Sequence, residues 1–184
     1  METMQHQIDF VQRNAPFCDD ADPEMIDQLA PASLKAAQLG DSKALDCYIS
    51  GMLLHMPGVL DHPEWLNDFK QNALPLADQA FKNGDWRAVM LYENAYSGSF
   101  VAGLFGQLTG TDPVRAYQYL KLQQLGTNSE FIKGITDSVN DAANDLTPEQ
   151  IAQSDAWAQD MYSRYFSGSS SDLTTEPCGG NYED

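Results

Sequence analysis

The chain has 184 residues, 42% of them apolar, with 27 acidic and 10 basic side chains and a formal net charge of −17. That length supports one domain with a real core and argues against a second independent one. The charge disfavours nucleic acid, whose affinity rests on Lys and Arg displacing counterions, and no window approaches the roughly 18 uninterrupted apolar residues of a membrane helix. No membrane insertion is expected; the acidic surface reads either as keeping the chain soluble or as attracting a basic protein or peptide partner.

The opening METMQHQIDFVQRN lacks the basic-then-apolar layout of a secretory signal. This reads either as a cytosolic chain or as a periplasmic or secreted one whose signal has been removed. Helices are expected near 3–14, 22–38, 41–55, 63–82, 85–96, 99–108, 112–125, 128–143 and 148–166. Val and Ile are sparse and alternation is rare, so the predicted fold class is all-α. Four helix starts carry a polar residue before proline: Asp22-Pro23, His62-Pro63, Asp112-Pro113 and Thr147-Pro148. Proline suits the first helical position, where its missing N–H has no intrahelical acceptor anyway. Thr147 with Gln150 predicts a capping box. Pro31 and Pro75 fall inside helical stretches and are expected to split or kink them. Residues 1–166 then form one domain, and the acidic, Ser/Gly-rich stretch 167–184 is expected to be a disordered tail.

The most informative feature is a duplication. GDSKALDCY at 40–48 returns as GDWRAVMLY at 84–92. Aligned, Gly40, Asp41, Ala44 and Tyr48 fall on Gly84, Asp85, Ala88 and Tyr92. A third, weaker copy ends at Gly126. A period near 40 with such small and aromatic positions marks stacked helical hairpins. Gly closes one helix in the left-handed conformation, Asp caps the next, Ala admits a close neighbour, and Tyr fills the groove beside it.

The run Asp112-Pro-Val-Arg-Ala116-Tyr-Gln-Tyr119, closing at Gly126, resembles a helix of the Sel1-like repeats, relatives of the tetratricopeptide repeats. Gly84, Ala88, Tyr92 and Tyr96 are similar to the companion helix. Tyr92-Glu93 departs from the family's Leu-Gly pair, and Ser99–Gly110 replaces its short glycine-rich connector. The resemblance spans about residues 29–126. It implies a short α-solenoid with covering helices at 3–14 and 148–166, and an adaptor-like role in binding protein.

Motifs for chemistry are scarce. His55 and His62 are separated by Pro57 and Gly58 and lack a third metal ligand at a recognisable spacing; His62 or Asp61 reads as a helix cap. The cysteines Cys18, Cys47 and Cys178 have no Cys-x-x-Cys spacing. Cys18 and Cys47 would close in an oxidising compartment, Cys178 could pair with either, and three reduced thiols are an equal alternative. Adjacent carboxylates such as Asp19-Asp20 sit in loops, where nothing would separate their pKa values. Gly103, Gly106 and Gly110 precede no Lys and follow no strand, so they read as helix packing. No catalytic set and no cofactor are expected.

Most aromatics among Trp65, Trp86, Tyr92, Tyr96, Phe100, Phe105, Tyr117 and Tyr119 are expected in the core. Trp86 stands where the first copy has Ser42, so it is either a packing substitution or a partner contact. Glu93 and Tyr96 join it as candidate contacts. The function expected is a non-enzymatic helical-repeat interaction module, an adaptor or regulatory binding protein. The alternatives are an acidic inhibitor that covers a basic site, and a hydrolase assembled from scattered carboxylates.

Overall fold

A computed structural model describes residues 23–55, 59–128 and 130–171, without the side chains of 23–26 and 55. Among them are eight α-helices and no strand. These are α1 (Pro23–Gln38), α2 (Ser42–Ile49), α3 (Pro63–Lys82), α4 (Trp86–Ser97), α5 (Gly103–Thr109), α6 (Pro113–Gly126), α7 (Ile132–Ala143) and α8 (Pro148–Met161), which runs into a π-turn at Tyr162–Phe166. The expected helix at 3–14 lies outside the described residues. No helix among them is long and apolar enough to cross a membrane.

The two glycine-aspartate corners share one geometry. Gly40 has φ 94° and Gly84 φ 79°. Asp41 N–H donates to Ala36 at 3.0 Å, and Asp85 N–H donates to Ala80 at 3.0 Å. Gly40 and Gly84 donate to Ala37 and Phe81, each at 3.0 Å. This reciprocal pair closes the last carbonyls of α1 and α3, and only a residue at ease with positive φ can make it. The aspartates then start α2 and α4: Asp41 Oδ1 accepts from Ala44 N–H at 2.8 Å, and Asp85 Oδ1 from Arg87 N–H at 3.0 Å. The same corner recurs at Gly98-Ser99, where Ser99 N–H reaches Asn94 at 2.9 Å.

Gly126 does not repeat the corner. It is the last residue of α6, and its missing side chain serves packing instead. Other expectations also shift. The helix expected over 41–55 stops at Ile49, because Gly51 turns to φ 73° before a 3-10 turn at Met52–His55. Residues 99–108 divide into a 3-10 turn at Phe100–Ala102 and α5, with Gly103 at φ 48° between them. The helix expected from 128 starts at Ile132. Neither Pro31 nor Pro75 splits its helix; α1 and α3 run through them, each losing one backbone hydrogen bond. The Thr147–Gln150 capping box is present in both directions, at 2.9 and 3.3 Å. His62 stands at the N-cap of α3 but its side chain makes no capping bond; its ring stacks on Trp65 at 4.1 Å instead.

Neighbours in sequence pack together: α1 on α2, α2 on α3, α3 on α4. Two larger contacts skip a helix: α4 on α6, the largest, which bridges the connector containing α5, and α6 on α8. Asp112 N–H donates to Tyr96 C=O at 2.9 Å, so α6 begins where α4 ends and the two run antiparallel. The core centres on Ile49, Phe69, Val89, Phe105, Leu122 and Phe166, all fully buried. On the far side of α6, Tyr117 and Leu120 meet Val139 of α7, forming a smaller cluster.

Candidate functional site

Three of the repeat tyrosines come together. Tyr92 and Tyr96, one turn apart on α4, stack on each other at 6.0 Å and on Tyr119 of α6 at 5.0 and 5.8 Å. Phe81 of α3 and Trp157 of α8 meet the Tyr119 ring edge-on at 5.7 and 5.1 Å. Both ends of the stack are tied down. Tyr92 donates to Asp78 Oδ1 at 2.6 Å, and Arg115 Nη1 donates to the Tyr96 hydroxyl at 2.7 Å. Tyr96 is 7% exposed, so it is a core residue and not the partner contact expected for it.

Trp86 is likewise corrected. It is 4% exposed, its ring 4.4 Å from Phe166 and directly over Gly126. Its indole N–H donates to Ser169 Oγ at 2.9 Å. That bond belongs to a strap. Ser171 N–H donates to Gly126 C=O at 2.9 Å, and Ser171 Oγ donates to Gln123 C=O at 3.0 Å. Residues 167–171, expected as the start of a disordered tail, therefore cover the end of α6; residues 172–184 lie outside the described part. Glu93 is half-buried on α4, and burial raises its carboxyl above the usual range. Ala44 is half-buried, while Tyr48, Ala88 and Ala116 are in the core as their repeat positions require.

The large side chains left exposed lie mostly elsewhere. Phe100 is 94% exposed, which overturns its expected place in the core, and Val101 beside it is also exposed. Their turn is held by Gly98 and by Ser99 Oγ, which accepts from Val101 N–H at 3.4 Å. Met52 and Leu60, the latter 87% exposed, occupy the connector between α2 and α3. The two connectors are neighbours: a Cβ on Gly51 would lie 3.6 Å from the Cβ of Leu104. One end of the molecule thus presents Met52, Leu60, Phe100 and Val101, with Asp61 and Glu64 close to Leu60 in sequence and Asp112 at the start of α6. The spacing of Phe100 fits a helix, and only its 3-10 turn throws the ring outward.

A second arrangement was invisible in the sequence. Asp46 of α2 is 2% exposed and forms an ion pair through Oδ2 with Arg87 Nη1. Arg87 simultaneously grips Asp85 with Nε and Nη2, each at 3.0 Å. Burial, reinforced by Asp85 and opposed by Arg87, raises Asp46 to about 7. Residues 41 positions apart gave no signal, because Asp46 has no counterpart in the second copy.

Among the described residues no group of three His, Cys, Asp or Glu could hold a metal ion. Cys47 is disulfide-bonded, and both other cysteines lie outside the described residues. The chain matches no protein-family model, no curated protein and no solved structure.

Proposed function

We propose that this protein is a non-enzymatic helical-repeat module whose connector end binds a basic, amphipathic protein segment. The observation that carries this reading is Phe100, 94% exposed on a turn anchored at Gly98 and Ser99. A lone exposed ring is ordinary, but contiguous apolar surface rimmed by charge marks an interaction site. Val101, Leu60 and Met52 widen the apolar surface, and Asp61, Glu64 and Asp112 supply the carboxylates that a basic partner would meet. An amphipathic helix would lay its apolar face on the former and its Lys or Arg on the latter. The matched corners at Gly40 and Gly84 support a degenerate Sel1-like pair as the scaffold. The disulfide at Cys47 supports an oxidising compartment, with Cys18 as the partner that the sequence favours.

The test uses a fluorescently labelled amphipathic helix of Lys and Leu, titrated at low and high salt, with a scrambled peptide of equal composition as control. The amphipathic peptide binds more tightly than the scrambled one, and salt weakens it. Phe100→Ser with Val101→Ser weakens binding by about tenfold or more. Binding that ignores these substitutions would dismiss this face as the site.

A further inference from the structure

The joint between the two corner-led helices contains a carboxylate pair that the connector end does not use, Asp46 buried and Asp85 partly exposed. Asp46 projects from the middle of α2, and Asp85 caps α4. Arg87 lies between them, bidentate on Asp85 and paired with Asp46. We propose that Asp46 and Asp85 share one proton beneath Arg87, making the contact of α2 with the start of α4 a pH-sensitive latch that is tighter when the proton is held.

Charge counting gives the reason. With both carboxylates ionised, one guanidinium faces two negative charges, and a surplus charge sits where water hardly reaches it. One proton removes the surplus. It also lets Asp46 donate to the Asp85 carboxylate, while Arg87 keeps its hold on both. The ion pair with Arg87 lies off the line of a hydrogen bond, and neither Asp46 oxygen has a well-directed donor among the described residues. A protonated Asp46 would be the donor in this group.

Among the described residues no cation other than Arg87 pairs with Asp46. From α1, which packs on α2, neither Asp27 nor Lys35 pairs with Asp46. From α3, the same holds for Glu64, Asp68, Lys70, Asp78 and Lys82; on α2 itself, it holds for Lys43 and Tyr48. The groups acting on Asp46 are Asp85, which raises its proton affinity, and Arg87, which lowers it.

The sign follows from linkage. A carboxyl whose folded pKa lies above its unfolded one stabilises the fold below the unfolded value, and that stability is lost as pH rises through the folded value. For Asp46 the window runs from 3.8 to about 7. Acidification towards mildly acid pH should therefore tighten the latch, opposite to the effect of an ordinary carboxylate ion pair.

The experiment compares urea unfolding midpoints of the wild type and Asp46→Asn from about pH 5.5 to 8.5. Asparagine keeps the shape and donates to Asp85 as the protonated acid would. The expected result is a wild-type midpoint that falls relative to the variant as pH rises. Every other titratable group is common to both proteins and cancels. A second measurement, carboxyl-carbon NMR of the wild type, needs no variant and places the Asp46 titration well above the ordinary carboxylate range. Parallel midpoint curves, or a carboxyl carbon titrating near the ordinary aspartate value, would overturn the latch.

Discussion

Trp86 occupies the volume in which Gly126 would otherwise carry a side chain; a Cβ built there would clash with Cζ2 and Cη2 of the indole. The two residues lie at opposite ends of antiparallel helices, the first of α4 and the last of α6. Their contact sets how closely these helices approach, and Phe166 and Ser169 close over the same ring.

Gly126→Ala should therefore destabilise by about 1–3 kcal/mol, because the core must expand around an indole with no free side. Gly134, on the exposed face of α7, has nothing within 4 Å of a Cβ. There the same substitution should stabilise by about 0.5–1 kcal/mol through helix propensity alone. Urea denaturation of the two variants should give opposite signs. Matching signs would mean that Trp86 does not press on α6.

The corners permit a second paired comparison. Gly40→Ala meets only the left-handed backbone penalty, about 1–2 kcal/mol, since nothing lies within 4 Å of its Cβ. Gly84→Ala meets the same penalty and also drives its Cβ into the carbonyl oxygen of Tyr165. Its cost should exceed that at Gly40 by about 1 kcal/mol or more. Equal melting temperatures for the two variants would contradict the packing of the terminal helix on this corner.

These pairs indicate what the sequence reveals. Helix starts were readable because proline and its polar neighbour act locally, as at Asp112, whose Oδ1 caps both Val114 and Arg115 at 3.1 Å. The corners at Gly40 and Gly84 were readable because glycine followed by aspartate fulfils two local requirements in successive positions. Gly126 looked like a third copy but answers to Trp86, 40 residues earlier, and sequence periodicity does not distinguish a turn glycine from a packing one. Trp86 looked like a contact because bulk at a variable repeat position has two explanations, and the path of the strap at 167–171 decides for burial; Tyr96 is buried instead by Tyr92, Tyr119 and Arg115. Asp46 and Arg87 belong to different helices, in a chain where carboxylates are plentiful enough to hide any one pair. The outward turn of Phe100 depends on Gly98 at φ 77° and on the Ser99 cap, local choices that leave no trace in the hydrophobic pattern.

The strap itself can be weighed through one hydroxyl. Ser169→Ala removes the acceptor of the Trp86 indole N–H, leaving a buried donor without its bond. The expected loss is about 1–2 kcal/mol, with a change in tryptophan fluorescence of the folded state. Ser170→Ala, at a position outside that bond, should leave the tryptophan emission unchanged. Identical emission from the Ser169 variant and the wild type would detach the strap from the core.

Alkaline pH tests the tyrosine stack. Burial raises Tyr92 and Tyr119 far above the ordinary phenol range; Asp78 accepts the Tyr92 hydroxyl proton and repels the charge that its loss would create. Tyr48 is raised by burial and then by Asp68, and Tyr117 to about 12 by burial and then by Asp155. A phenol whose folded pKa exceeds its unfolded value holds its proton in the fold after the unfolded chain has released it. Stability is thus complete below about pH 10 and falls as pH rises above it. Tyrosinate absorbance should appear in two stages: a gradual rise from accessible phenols, then a cooperative step coinciding with loss of helical circular dichroism. Tyr92→Phe should shrink the cooperative step and, because water can replace the lost donor at the exposed Asp78, cost only about 0.5–1.5 kcal/mol at neutral pH. A smooth titration of every phenol while the helices persist would mean that the stack is open to water and that Asp78 does not hold Tyr92.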